Sequence, residues 1–459
     1  MPDAPSIGHV HYQVVEVEGD ALAPAVRQTE AQGQAGDIAL AEPGLARVTI
    51  SFDKMALRVL FVSLVLVSLL CFVSTWRVVD FWLHNDVDWR DWPLAYKLML
   101  QGNLAQENVL GAWFSSMLLL MAGAAFLLCF AAEPRDAGKS VFRFGWLLFG
   151  LVFVGLSLDE LGSFHERLAL WQPDAAWRLM IVGFILVVPV YMTGFGLVQL
   201  RRSRAGAGLI VLGVACFSLI PVYEHFEIMG LAAPGVPGRS GHALWTAAEE
   251  TTELLGMIAF LAAALVFAAT FSHRPMAGSG APRLSLRLSP PVLAGAYLIV
   301  VGLAAAGAYA SRRWLAVLEE DGVNGLPENW FVGAPLFLSA LVVLALSQGR
   351  VHRSFGWAIA FSAVLVSALV GADIQKFFWS EEMAWLKWGL AGALAVAGII
   401  ALMPRSALAV RITGLAAIAA LAVTVAAMPG PHTLALGLVA VLGLGSCGLA
   451  LLTQPVEEH

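Results

Sequence analysis

A chain of 459 residues that is 59% hydrophobic and only 13% charged is not an ordinary soluble globule. Its mean hydropathy of +0.77 makes the bilayer, rather than a set of aqueous domains, the natural frame for counting elements. The net charge of −6 comes without a polybasic block and excludes nucleic acid as a partner.

Residues 1–50 are rich in Ala, Gly, Gln, Pro and acids and show no sustained period. They read as a flexible cytoplasmic extension with a candidate short strand in Val10–Val17. No signal peptide is expected, because the first apolar run begins near Met55. Twelve apolar runs of spanning length follow, at 56–78, 109–132, 142–162, 177–200, 206–229, 243–271, 291–310, 331–348, 354–373, 383–403, 407–428 and 433–453. Cys71, Cys129, Cys216 and Cys447 all fall inside these runs, where packing is their expected role.

Short loops set the orientation. Arg135, Lys139, Arg201, Arg202, Arg204, Arg274, Arg283, Arg287, Arg350, Arg353 and Arg405 fall on one side, which should be cytoplasmic and hold both termini. The first opposite loop, Asp80–Gln106, carries Trp82, Trp89 and Trp92, which suit interfacial anchoring. Its Asp86, Asp88 and Asp91 resemble the acidic site of multispanning glycosyltransferases that use lipid-linked sugars, but the soluble outer domain many of those carry is missing.

Matching tripeptides and pairs recur in order. Phe144-Gly145-Trp146 opens run three and Phe355-Gly356-Trp357 opens run nine, while Glu107-Asn108 precedes run two and Glu328-Asn329 precedes run eight. Ala176-Trp177 and Ala384-Trp385 stand at runs four and ten. Six spans per unit is an even number, so the expectation is an all-α polytopic membrane protein of about 12 transmembrane helices in two parallel six-helix repeats. The units are 51–275, which holds the acids, and 276–459, a degenerate copy.

The acids gather on the outer side. Asp159, Glu160, Ser163, His165 and Glu166 close run three, with Asp159, Ser163 and Glu166 at i, i+4 and i+7 on one helical face. Glu224 and Glu227 end run five, and Glu249, Glu250 and Glu253 begin run six just after His242. A helix N-terminus alone accounts for Glu249 and Glu250 through the macrodipole, but not for Glu253 one turn deeper. Glu224 and Glu227 stand at the C-terminal end of their helix, where anions are disfavoured.

Eight carboxylates on three helices cannot all be ionised in a low-dielectric site unless protons or a cation neutralise them. A divalent metal does so economically, and mixed oxygen and imidazole ligands suit Zn, Fe or Mn. Asp159, His165, Glu166, Glu224, Glu227 and Glu253 are the candidate ligands, with Glu160 and Glu249 as candidate catalytic bases toward a metal-bound water. The first functional expectation is an enzyme acting on a lipid or lipophilic substrate in a bacterial inner membrane. A proton- or cation-coupled secondary transporter using the same acids is the alternative, and a structural membrane subunit the third.

Leu156-Ser157-Leu158-Asp159-Glu160, followed by His165-Glu166 and flanked by Glu107-Asn108 and by Glu249-Glu250-Thr251-Thr252-Glu253-Leu254-Leu255-Gly256, resembles a family of polytopic bacterial membrane proteins of no established activity. The resemblance covers residues 107–256 and implies a site without naming its task. No rhomboid-type Gly-x-Ser-x-Gly, zinc-protease His-Glu-x-x-His or P-loop is present.

Overall fold

The computed structural model describes residues 46–51, 53–85, 92–106, 109–133, 140–162, 189–228, 239–272, 283–288, 290–318, 327–347, 353–372, 415–421 and 433–452. In chain order the elements are β1 (Ala46–Ser51), α1 (Lys54–His84), α2 (Leu94–Leu100), α3 (Leu110–Ala132), α4 (Ser140–Gly162), α5 (Arg204–Ile228), α6 (Arg239–Thr270), β2 (Arg283–Leu288), α7 (Pro290–Leu318), α8 (Pro327–Ser347), α9 (Arg353–Gly371) and α10 (Thr433–Leu452). Segments 189–198 and 415–421 are also helical.

Among the described residues, seven helices are long and apolar enough to cross a membrane, and they suggest a multi-pass membrane protein. They correspond to expected runs one, two, three, five, six, seven and eight. Run nine appears as the shorter apolar helix Gly356–Gly371, and α10 coincides with run twelve. Runs four and eleven are described only in part, and run ten lies outside the described residues, as does the Val10–Val17 stretch.

Helix α1 shows why this architecture suits an apolar solvent. Asp53 caps it, accepting from the backbone N–H groups of Met55 and Ala56. Leu64, Ser68, Cys71, Thr75 and Val78 recur at helical spacing and face the bundle. Val62, Leu66, Leu69, Leu70 and Val73 stand exposed on the opposite side, so both faces are apolar. Water would penalise that outward face, whereas lipid accepts it.

The inward faces build two cores. In the first, α3 packs on α4 and α6, and α6 also packs on α1 and α5. Phe126, Trp146, Phe149, Phe153, Phe260 and Phe267 fill its centre, with Phe126 stacked against Trp146 and Phe153. In the second core, α8 packs on α9 and α10, and α7 packs on both α8 and α10. Leu336, Val343, Ile359, Val366, Val441 and Leu444 are buried there. Gly443 of α10 abuts Ala417, which brings segment 415–421 against that helix.

Helices α3 and α4 of the first core meet α8 and α9 of the second. Met117 and Leu120 pack on Ala334 and Phe337, flanked by Trp113 and Trp330. Trp113 donates its indole N–H to Ser367 Oγ at 3.1 Å, and Trp330 donates to Ser157 Oγ at 2.9 Å.

Two features were not anticipated from sequence. Strands β1 and β2 pair antiparallel from Ala46↔Leu288 to Ser51↔Arg283, across stretches that had read as an extension and a loop. Glu133, only 4% exposed at the end of α3, accepts from Trp146 Nε1 at 2.9 Å and pairs with Arg202. The Arg202 guanidinium also lies 5.2 Å from the Phe271 ring centroid, so the clamp ties the ends of α3 and α6 to α4 and to the turn before α5.

Arg202→Ala leaves the buried Glu133 carboxylate without its cation, whereas Glu133→Gln keeps an acceptor for Trp146. Arg202→Ala should therefore cost roughly 2–3 kcal/mol, allowing for the partial exposure of Arg202, and Glu133→Gln clearly less. Thermal unfolding of the two variants in detergent gives the order.

Candidate functional site

Helix α6 presents Ala243, Ala247, Glu250, Leu254, Met257 and Leu261 at alternating steps of four and three, so they share one face. Every member except Glu250 is buried and apolar. Glu250 is therefore a half-buried carboxylate on a core-facing stripe, close enough to Glu160 of α4 and Glu249 of its own helix to interact with both.

Helix α4 delivers Glu160 by the same logic. Leu161, fully buried, packs with Val109 and Ala112 at the start of α3. Ser157 and Glu160, one turn apart, both reach α3. Ser157 meets Ser116, whose hydroxyl donates to the Ser157 carbonyl at 2.7 Å, and Glu160 Oε1 lies 2.6 Å from Ser115 Oγ.

Hydrogen counting sharpens that last contact. Ser115 is 2% exposed, and its Oγ also lies 3.0 Å from the Ala112 carbonyl. A serine hydroxyl has one hydrogen. Both contacts carry a hydrogen of their own only when Glu160 supplies the second.

The expected site residues are thus partly assembled. Glu160 and Glu249, the candidate bases, neighbour Glu250. Asp159 and Glu253 are partly buried on α4 and α6. Glu224 and Glu227 fall within the last turns of α5, but their side chains lie outside the described residues, as do His165 and Glu166 altogether. Among the described residues, no group of three His, Cys, Asp or Glu side chains is arranged to hold a metal ion.

Sequence reasoning gave neither Glu250 nor Ser115 a role of its own. The signal for Glu250 was present, since it interrupts an otherwise apolar stripe. The signal for Ser115 was weaker, because a serine in an apolar run more often bonds its own helix.

A family model described as "Domain of unknown function (DUF8692)" matches residues 57–268, the stretch from α1 to α6. The match is consistent with an uncharacterised family. No curated protein and no solved structure matches the chain.

Glu160→Gln retains a donor for Ser115 Oγ and should hold stability within about 1 kcal/mol of the parent. Ser115→Ala strips the part-buried Glu160 carboxyl of a hydroxyl partner and should lose about 1 kcal/mol. Equilibrium unfolding in detergent would show the reverse order if Glu160 only accepts.

Proposed function

We propose that this chain is a multi-pass protein of the bacterial inner membrane, with both termini cytoplasmic, whose working part is a cation-binding carboxylate site between α3, α4 and α6. The convergence of Glu160 and Glu250 from two different helices is the observation that carries this proposal. Three carboxyl groups brought close together beside an apolar core are stabilised by a compensating positive charge. A divalent metal or shared protons would supply it.

With a metal, the protein is an enzyme acting on a lipid or lipophilic substrate reached from the membrane. Zn, Fe or Mn would be held by Asp159, His165, Glu166, Glu224, Glu227 and Glu253. Glu160 or Glu249 would take a proton from a bound water.

With protons, it is a coupled secondary transporter, and two observations favour that second reading. One is the hydrogen that Glu160 can supply to Ser115. The other is a set of matched pairings that supports two parallel six-helix units, 51–275 and 276–459, behind the 1–50 extension. The pairs α1–α6, α3–α6 and α3–α4 answer to α7–α10, α8–α10 and α8–α9. Across the halves, α4–α8 answers to α3–α9, and the two tryptophan–serine bonds answer to each other. Strands β1 and β2, each just before the first helix of its unit, pair in a register that maps onto itself when the units are exchanged.

The deciding experiment is elemental analysis of detergent-purified protein beside an Asp159→Ala, Glu224→Ala double variant. Stoichiometric Zn, Fe or Mn in the parent and none in the folded variant would establish the enzyme form. No metal in either, without chelators, leaves proton or cation coupling, read as flux in sealed vesicles that collapses with the ion gradient. In either form Glu250→Gln should lower turnover or flux by about 100-fold or more while the fold survives. A variant with full activity would sink the proposed site.

A further inference from the structure

The two tryptophans that cross between the halves make equivalent bonds in unequal surroundings. Three residues beyond Ser157, the acceptor of Trp330, stands Glu160; three beyond Ser367, the acceptor of Trp113, stands Val370, buried in the second core. Two residues after Trp113 stands Ser115, the hydroxyl that meets Glu160, and two after Trp330 stands Val332, also buried. Val332 lies against Gly437 of α10, so the second half is apolar at these positions.

On the first side the tie continues into the acid site. Trp330 Nε1 donates to Ser157 Oγ at 2.9 Å, and Ser157 Oγ lies 3.1 Å from Ser116 Oγ, next to Ser115. Helices α8, α4 and α3 are thus linked one turn from the 2.6 Å contact between Ser115 and Glu160. Hydrogen bonds weaken steeply once their distance and angle drift, so that contact depends on the register of α3 against α4.

We infer that Trp330, supplied by the second half, is a positioning residue of the carboxylate site: through Ser157 it fixes the α3–α4 register at which Ser115 meets Glu160. This inference rests on the proposal that the Glu160 cluster is the working site. The mirrored bond from Trp113 ends at Ser367 among apolar neighbours on α9, so Ser367→Ala serves as an internal control.

The test uses the full chain in detergent with Trp330→Phe, Ser157→Ala, their double variant and Ser367→Ala. Dicyclohexylcarbodiimide adds a carboxylic acid O–H across one C=N bond, and the O-acylisourea rearranges to a stable N-acylurea. Peptide mass spectrometry therefore follows the protonated acid at Glu160 across pH. Trp330→Phe and Ser157→Ala should each change the Glu160 labelling rate at fixed pH by about fivefold, as one lost neutral hydrogen bond would. The double variant should go no further, and Ser367→Ala should match the parent.

A second readout does not depend on a proton at Glu160. In a Glu160→Cys background, N-ethylmaleimide should modify the new thiol faster with Trp330→Phe or Ser157→Ala than with Ser367→Ala. Equal effects of all three substitutions, or none, would overturn the positioning role in either readout. A parent protein whose Glu160 resists the carbodiimide at every pH would remove the proton form of the site, and the thiol rates would still decide the role of Trp330.

Discussion

In a bundle whose outward faces are as apolar as its inward ones, burial from water cannot decide which helix meets which. Close approach and a few satisfied polar groups must do it. Helices α3 and α4 show the first device. A Cβ on Gly123 would lie 3.0 Å from the Gly150 carbonyl, and one on Gly150 would lie 3.2 Å from the Gly123 carbonyl, so the two backbones touch where neither has a side chain. The second device lies along the same pair of helices, in Ser116 with Ser157 and in Ser115 with Glu160. Everything the site does chemically depends on that helix pair holding its register.

The same constraint explains how one framework carries two interiors. The second half keeps the close helix pairs and the tryptophan–serine bond but places Val332, Val370 and Gly437 among its contacts. Valine against glycine fills space without charge, and a fully apolar core needs no proton or cation to be stable. In the first half, Ser115, Glu160 and Glu250 put polar groups at that level, and such groups need hydrogen-bonding or charged partners to be stable. Glu133 shows one solution, a buried carboxylate held by Arg202 and Trp146.

Sequence alone made the helices legible, since runs of that length and apolarity have few other uses. It also drew notice to Glu160 and Glu249, because ionisable groups inside such runs are expensive. What escaped it was partnership. The Glu133–Arg202 pair joins residues 69 positions apart, and Trp330 reaches Ser157 over 173. No local period encodes either bond. Arg202 was visible only as one of several loop cations that set orientation, and its specific partner emerges only when the ends of α3 and α6 converge. The stripe Ala243–Ala247–Glu250–Leu254 was readable in principle, but three neighbouring glutamates drew notice to charge rather than to phase.

The small sheet carries a consequence for assembly. Strand β1 precedes α1, and among the described residues it pairs with β2, which follows α6 and precedes α7. During synthesis the strand edge that β2 covers must therefore stay open while α1 to α6 are made, before residues 283–288 exist. The pairing is also long-range in sequence, which makes its closure late. The strand before α1 finds its partner only once α6 has been made, so these distant stretches complete together.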